Sequence, residues 1–163
     1  MKPTDFSYYL TGFLTKFLPG EVGASQNTIH SYRDTFILFL RFLRDKKDTS
    51  ADELTLKMIH KNWIVDYLNW IEGSRQCSVS TRNVRLAALH SFFKYLQYEN
   101  PDHLLEWQAI LSIPMKKAKK KMMNYLSLDG IKLLLSMPNT GMMAEHRNLA
   151  LLTLLYDTGA RVQ

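Results

Sequence analysis

Residues 78–96 read SVSTRNVRLAALHSFFKYL, and the fold turns on whether this stretch is a helix. Val84, Leu86, Leu89, Phe93 and Leu96 are its apolar positions, and their recurrence follows a helical period rather than the alternation of a strand. Ser80 or Ser78 can cap the start, because a serine hydroxyl accepts from a first-turn N–H that lacks a partner within the helix. Asn100-Pro101 closes it, since proline disfavours helix in the residue before it. The pattern predicts a helix from about Ser80 to Glu99.

The same period recurs on both sides. Phe6, Tyr9, Leu10, Phe13 and Phe17 predict a first helix, with Pro19-Gly20 as its stop. In SQNTIHSYRDTFILFLRFLRDKK (25–47), the residues Ile29, Tyr32, Phe36, Phe39, Leu40 and Leu43 make one apolar face, and Asn27 or Thr28 can cap it. A third helix is expected from about Leu56 to Ile71, with Ile59, Trp63, Tyr67 and Trp70 or Ile71 inward and Glu72-Gly73-Ser74 ending it. DHLLEWQAI (102–110) adds one or two turns. No glycine-rich or alternating stretch demands a sheet, so the fold class is all-α. Residues 1–110 read as a bundle of four or five helices.

Residues 111–125 read as a linker broken by Pro114, and 126–163 as a second unit of two helices. Ser127-Leu128-Asp129 starts one helix and Pro138 ends it. The other runs from about Met143 to Asp157. Its run LALLTLLY is apolar all round, the mark of a helix meant for burial. Two helices cannot bury that surface alone, so this unit reads as incomplete. Gly159 is placed to take the left-handed conformation that ends such a helix.

The formal net charge is +6. Residues 1–110 hold 13 Lys+Arg against 12 Asp+Glu, and residues 126–163 hold three of each. The excess is five lysines at 116, 117, 119, 120 and 121, with no acid between 111 and 125. Such a run favours a polyanion, though a solvated charge run in a flexible linker has the same composition. Arg82 and Arg85 lie one turn apart near a helix start rich in Ser, Thr and Asn, where N–H groups and guanidinium forks favour phosphates and guanine edges. An ordinary solvated face would look similar.

Other chemistry is excluded by what is missing. The five histidines are dispersed and the one cysteine, Cys77, cannot form an internal disulfide, which suits a reducing cytoplasm. No metal-ligand spacing and no phosphate loop occur, so no metal and no cofactor is expected. No apolar run reaches a membrane-spanning length, and the N-terminus lacks a secretory pattern.

Taken in order, four segments resemble the tyrosine recombinases, the phage-integrase family of DNA strand-transfer enzymes. They are NTIHSYRDTFILFLRFL, STRNVRLAALHSFFKYL, the Pro- and Lys-containing stretch leading into YLSLDGIKLLL, and RNLALLTLLYDTGARVQ. The resemblance implies a SAM-like core-binding bundle over 1–110, a basic linker over 111–125, and the first part of a catalytic domain over 126–163. It implies double-stranded DNA as partner, with other recombinase protomers on it. Thr28, Ser31, Tyr32, Thr81, Arg82, Arg85 and the five linker lysines, Lys116, Lys117, Lys119, Lys120 and Lys121, are then DNA-binding candidates. Arg161 matches the family's first active-site arginine. A guanidinium there would stabilise charge on the non-bridging oxygens of a scissile phosphate under attack by tyrosine. The remaining family groups, including the tyrosine nucleophile, are expected beyond Gln163, so these 163 residues are expected to bind DNA without cleaving it. The competing reading is a helical protein-interaction module whose lysines only solubilise it.

Overall fold

The structure is a computed structural model that describes residues 3–118, 125–138 and 141–160. The described residues are helical with no strand. They fall into two compact units, Met1–Lys119 and Lys120–Gln163.

In the first unit, α1 spans Asp5–Gly12 and continues as a π-helical segment, Phe13–Glu21. Pro19 was expected to end this helix, yet it lies inside the segment. A proline ring clashes with the carbonyl four residues back in an α-helix, and the wider π turn takes that carbonyl out of line. The chain then closes through Val22 N–H to Phe17 O at 3.0 Å and Ala24 N–H to Leu18 O at 2.9 Å.

Helix α2 (Gln26–Lys47) is capped by Ser25, not by Asn27 or Thr28; Ser25 Oγ accepts from Thr28 N–H. Its last turn carries Arg44, Lys46 and Lys47, which suits the negative end of the helix dipole. The expected third helix begins later than Leu56. Residues 56–58 form a single 3₁₀ turn and α3 is Lys61–Gly73, so Ile59 is buried from an extended link. Helix α4 (Val79–Glu99) is capped by Ser78, and α5 is Leu104–Leu111.

The core is aromatic. Phe13 and Phe92 are fully buried and lie 5.3 Å apart, and Phe36 sits 5.1 Å from Phe92. Phe6 and Phe93 also meet Phe92, at 5.9 and 5.5 Å. These edge-to-face rings join α1, α2 and α4 around one point. Trp107 of α5 is fully buried, its ring tilted against Phe93 at 5.2 Å while its indole N–H donates to Asn100 O at 3.1 Å. Helix α4 packs against α2, α3 and α5, so it is the central element and retains only a narrow solvated strip, on which Val84 stands exposed. Residues 111–113 do not leave the bundle either, because Ile113 is buried in its core.

His90 of α4 is held below its usual pKa of 6.5, chiefly by burial, with Lys94 adding to the effect and the Ile110 backbone opposing it. The unfolded chain therefore takes up this proton before the folded one does. Its contribution to stability is complete above about pH 6.5 and is lost as pH falls below that value. His90→Gln should flatten the acid side of the stability curve, measured by urea unfolding at stepped pH.

In the second unit, α6 is Leu128–Ser136, capped by Ser127, whose hydroxyl accepts from Gly130 N–H at 3.1 Å. Helix α7 is Met143–Thr158 and ends at Gly159, which has φ 61° and donates to Leu155 O at 3.0 Å. No described residue of either helix is buried, and Leu151 and Leu154 are both more than half exposed. Helices whose apolar stripe is at most half-buried, as at Ile131, Leu135, Leu149, Leu152 and Leu155, gain less from tertiary packing than those of a closed core. Native-state hydrogen exchange should find α2 and α4 opening only with the whole bundle and α6 and α7 exchanging far faster. Equal protection in the two units of a monomer would contradict this.

Candidate nucleic-acid interface

Two helix starts share one construction. At α2, Ser25 Oγ accepts from Thr28 N–H at 3.3 Å and lies 3.0 Å from Thr28 Oγ1. At α4, Ser78 Oγ accepts from Thr81 N–H at 3.2 Å and lies 3.0 Å from Thr81 Oγ1. Each is a Ser-x-x-Thr box in which the serine oxygen caps the first turn and the two hydroxyls lie within hydrogen-bond reach of one another. Backbone N–H groups at such ends favour anions.

The helices behind these ends are joined by a polar seam. Arg85 Nη1 of α4 donates to Ser31 O at 3.0 Å and to Thr35 Oγ1 at 3.1 Å, both on α2. Thr35 is fully buried, and the Tyr67 hydroxyl of α3 donates to its carbonyl at 3.3 Å. Burial pushes the Tyr67 phenol far above its ordinary value, so it remains a neutral donor. Three helices thus meet at Thr35 with each donor matched to an acceptor.

A second cluster lies where the chain leaves α5. Asn83 of α4 grips the main chain of Lys116 from both sides: Asn83 Nδ2 donates to Lys116 O at 2.7 Å, and Lys116 N–H donates to Asn83 Oδ1 at 3.1 Å. Lys116 Nζ reaches Glu72 Oε2 at 2.6 Å. Arg82 Nε lies 3.3 Å from the same oxygen but is not aimed at it, so that contact is coulombic rather than a hydrogen bond. Arg82 Nη1 donates to Asn83 Oδ1 at 3.3 Å.

The expected outward pair of arginines is therefore turned in. Arg82 is only 6% exposed and Arg85 is half-buried. They do share one side of α4, as their spacing requires, but a central helix has little solvated surface and that side faces neighbouring helices. Thr28 and Thr81 are half-buried in the first turns of their helices, and Ser31 is half-buried in the second turn of α2. Tyr32 is half-buried as well, its ring parallel to Phe13 at 6.3 Å. Lys116 and Lys117 are exposed. Lys119, Lys120, Lys121 and Arg161 lie outside the described residues. Among the described residues no group of His, Cys, Asp and Glu is arranged to hold a metal ion, and no helix is long and apolar enough to cross a membrane.

Glu72, Asn83 and Thr35 escaped the sequence reading. Glu72 had one signal: it is the penultimate residue of α3, where the helix dipole disfavours an acid unless a cation answers it. Asn83 had none, because its partner is a backbone group 33 residues away.

The family model for the phage integrase N-terminal SAM-like domain matches residues 11–100, from the end of α1 to the end of α4. The chain belongs to the tyrosine recombinase family. Among curated proteins, a provisionally named integrase/recombinase of Sinorhizobium fredii, y4rC, is 34% identical over 161 residues, covering 99% of this chain and 48% of the relative. Tyrosine recombinase XerD of Listeria innocua is 32% identical over 148 residues, covering 90% of this chain and 46% of its own length. XerD of Haemophilus influenzae is 33% identical over 144 residues, 87% and 44% respectively. The chain thus spans about half the length of the recombinases it matches. No solved structure matches significantly.

Within this recombinase bundle, Arg85 is the side chain that ties α4 to the Thr35 seam of α2. Arg85→Ala strips a donor from Thr35 and from Ser31 O, and should cost roughly 1–3 kcal/mol of stability. Arg85→Lys should recover only part, since an ammonium lacks the planar fork. Chemical denaturation of the two variants checks both statements.

Proposed function

We propose that the chain is the DNA-binding portion of a site-specific tyrosine recombinase, which in its full form cuts and rejoins duplex DNA through a phosphotyrosine. The observation that carries this reading is the match of residues 11–100 to the integrase N-terminal domain. The paired Ser-x-x-Thr helix starts on α2 and α4 support it, lying in the two segments on which the resemblance to the family rests.

On this reading the helix starts meet the duplex, with Thr28, Ser31, Tyr32 and Thr81 at or beside the contact. Arg82 and Arg85 serve the interface from behind, holding α4 to Glu72 and to α2, and a change in either alters register or base choice through the helix they orient. Lys116, Lys117, Lys119, Lys120 and Lys121 make sequence-independent phosphate contacts. Arg161 is the first active-site arginine of the complete site. Other recombinase protomers assemble on the same DNA, and the protein works in the cytoplasm, bound to the nucleoid.

Two measurements test this. Neutralising the five lysines should weaken cognate and scrambled duplexes alike and flatten the log–log salt dependence, each lost phosphate contact removing roughly 0.9 from the slope. An unchanged slope would return the lysines to a solvated linker. A nicked suicide duplex should trap no covalent adduct with these 163 residues, and a trapped adduct would overturn the division of roles given to Arg161 and the nucleophile. A chain that binds no duplex in modest salt would instead be the helical protein-interaction module.

A further inference from the structure

One acidic residue stands where a DNA-binding surface would be expected to avoid acids. Glu72 lies at the end of α3 and its Oε2 receives both Lys116 Nζ, at 2.6 Å, and Arg82 Nε, at 3.3 Å. Arg82 is 7% exposed at its side chain and Glu72 21%, so the carboxylate offsets the charge of a buried guanidinium while it accepts a hydrogen bond from the lysine. The Asn83 amide then fixes the peptide groups of Lys116 through two hydrogen bonds, at 2.7 and 3.1 Å. Three residues earlier Ile113 is buried in the core. The segment from Ile113 to Lys116 is therefore fastened to the bundle at both ends, and the lysine run begins at a fixed place.

We infer that Glu72 and Asn83 are positioning residues that set where the basic segment leaves the bundle, and that DNA affinity depends on an acid for this reason. The inference rests on the proposed DNA-binding function. The physical argument is a competition of two effects with opposite sign. Removing the Glu72 charge takes a repulsive group away from a polyanion and raises the net charge from +6 to +7, which by itself tightens binding. It also leaves Arg82 without its counter-charge and Lys116 without its side-chain anchor. A freed segment must be ordered again each time it meets DNA, at the cost of backbone entropy for every residue fixed. Surface attraction at ordinary salt is screened within about 8 Å, whereas the ordering cost is not screened at all. Positioning should win.

The test uses the full chain, Glu72→Gln and Asn83→Ala, on one duplex across several salt concentrations, with hydrogen exchange on the DNA-free proteins. Glu72→Gln is expected to bind several-fold more weakly despite its extra positive charge, with a shallower salt slope, and the Lys116 amide should exchange faster while α3 and α4 remain protected. Asn83→Ala, which changes no charge, should show the same three effects. It also serves if Glu72→Gln does not fold. A slope that is unchanged or steeper, or binding by Glu72→Gln as tight as or tighter than the parent, would overturn the inference, as would unaltered exchange at Lys116. If the unsubstituted chain binds no DNA, the proposed function fails first, and that result is separate from any difference between the variants.

Discussion

The bundle is organised by the burial of α4 on almost every side. A helix in that position cannot be half core and half surface. Phe92 meets Phe6, Phe13, Phe36 and Phe93, so the apolar contacts of three other segments converge on one ring. Each ring pair adds a modest directional preference to the area it hides. Their joint effect is that α1, α2 and α4 cannot move independently, and the charged groups on the covered sides of α4 have to be answered from within the bundle.

That constraint explains the arginines. Arg85 and Arg82 sit on a helix whose flanks are occupied, so each is matched inside: Arg85 by Ser31 O and Thr35 Oγ1, Arg82 by Glu72 and Asn83. Unpaired, either would carry a desolvation cost greater than a typical surface interaction returns. Matched, they tie the helix starts of α2 and α4 to the same framework, so that two anion-favouring ends are presented by one rigid support.

The helices of the bundle were legible because their aromatic residues repeat at helical spacing, and Phe36, Phe39, Leu43, Leu89 and Phe93 are buried as that spacing implied. Gly159 was legible for a different reason, since few other residues accept φ near 61° at a helix end. Pro19 was misread because its ring is forbidden in an α turn but not in the wider turn the chain adopts there. The direction of Arg82 was hidden for a geometric reason. Periodicity states which residues share a side, but which side meets solvent is decided by how many neighbours the helix has. Val84, one of the apolar positions of α4, stands on its solvated strip. Glu72 and Asn83 depend on a loop closing over 44 and 33 residues, which local pattern does not encode.

The grip of Asn83 on Lys116 is on the peptide, not on the side chain. An amide that reads another amide is indifferent to what the residue carries beyond its Cβ. The main-chain anchorage and the charge that follows Lys116 are therefore separately adjustable: substitutions after position 116 can retune the lysine run, strengthening or weakening the pull on a polyanion, while Asn83 and Glu72 still hold the chain at Lys116. Only proline, which has no N–H to offer Asn83, is barred from position 116 by this contact.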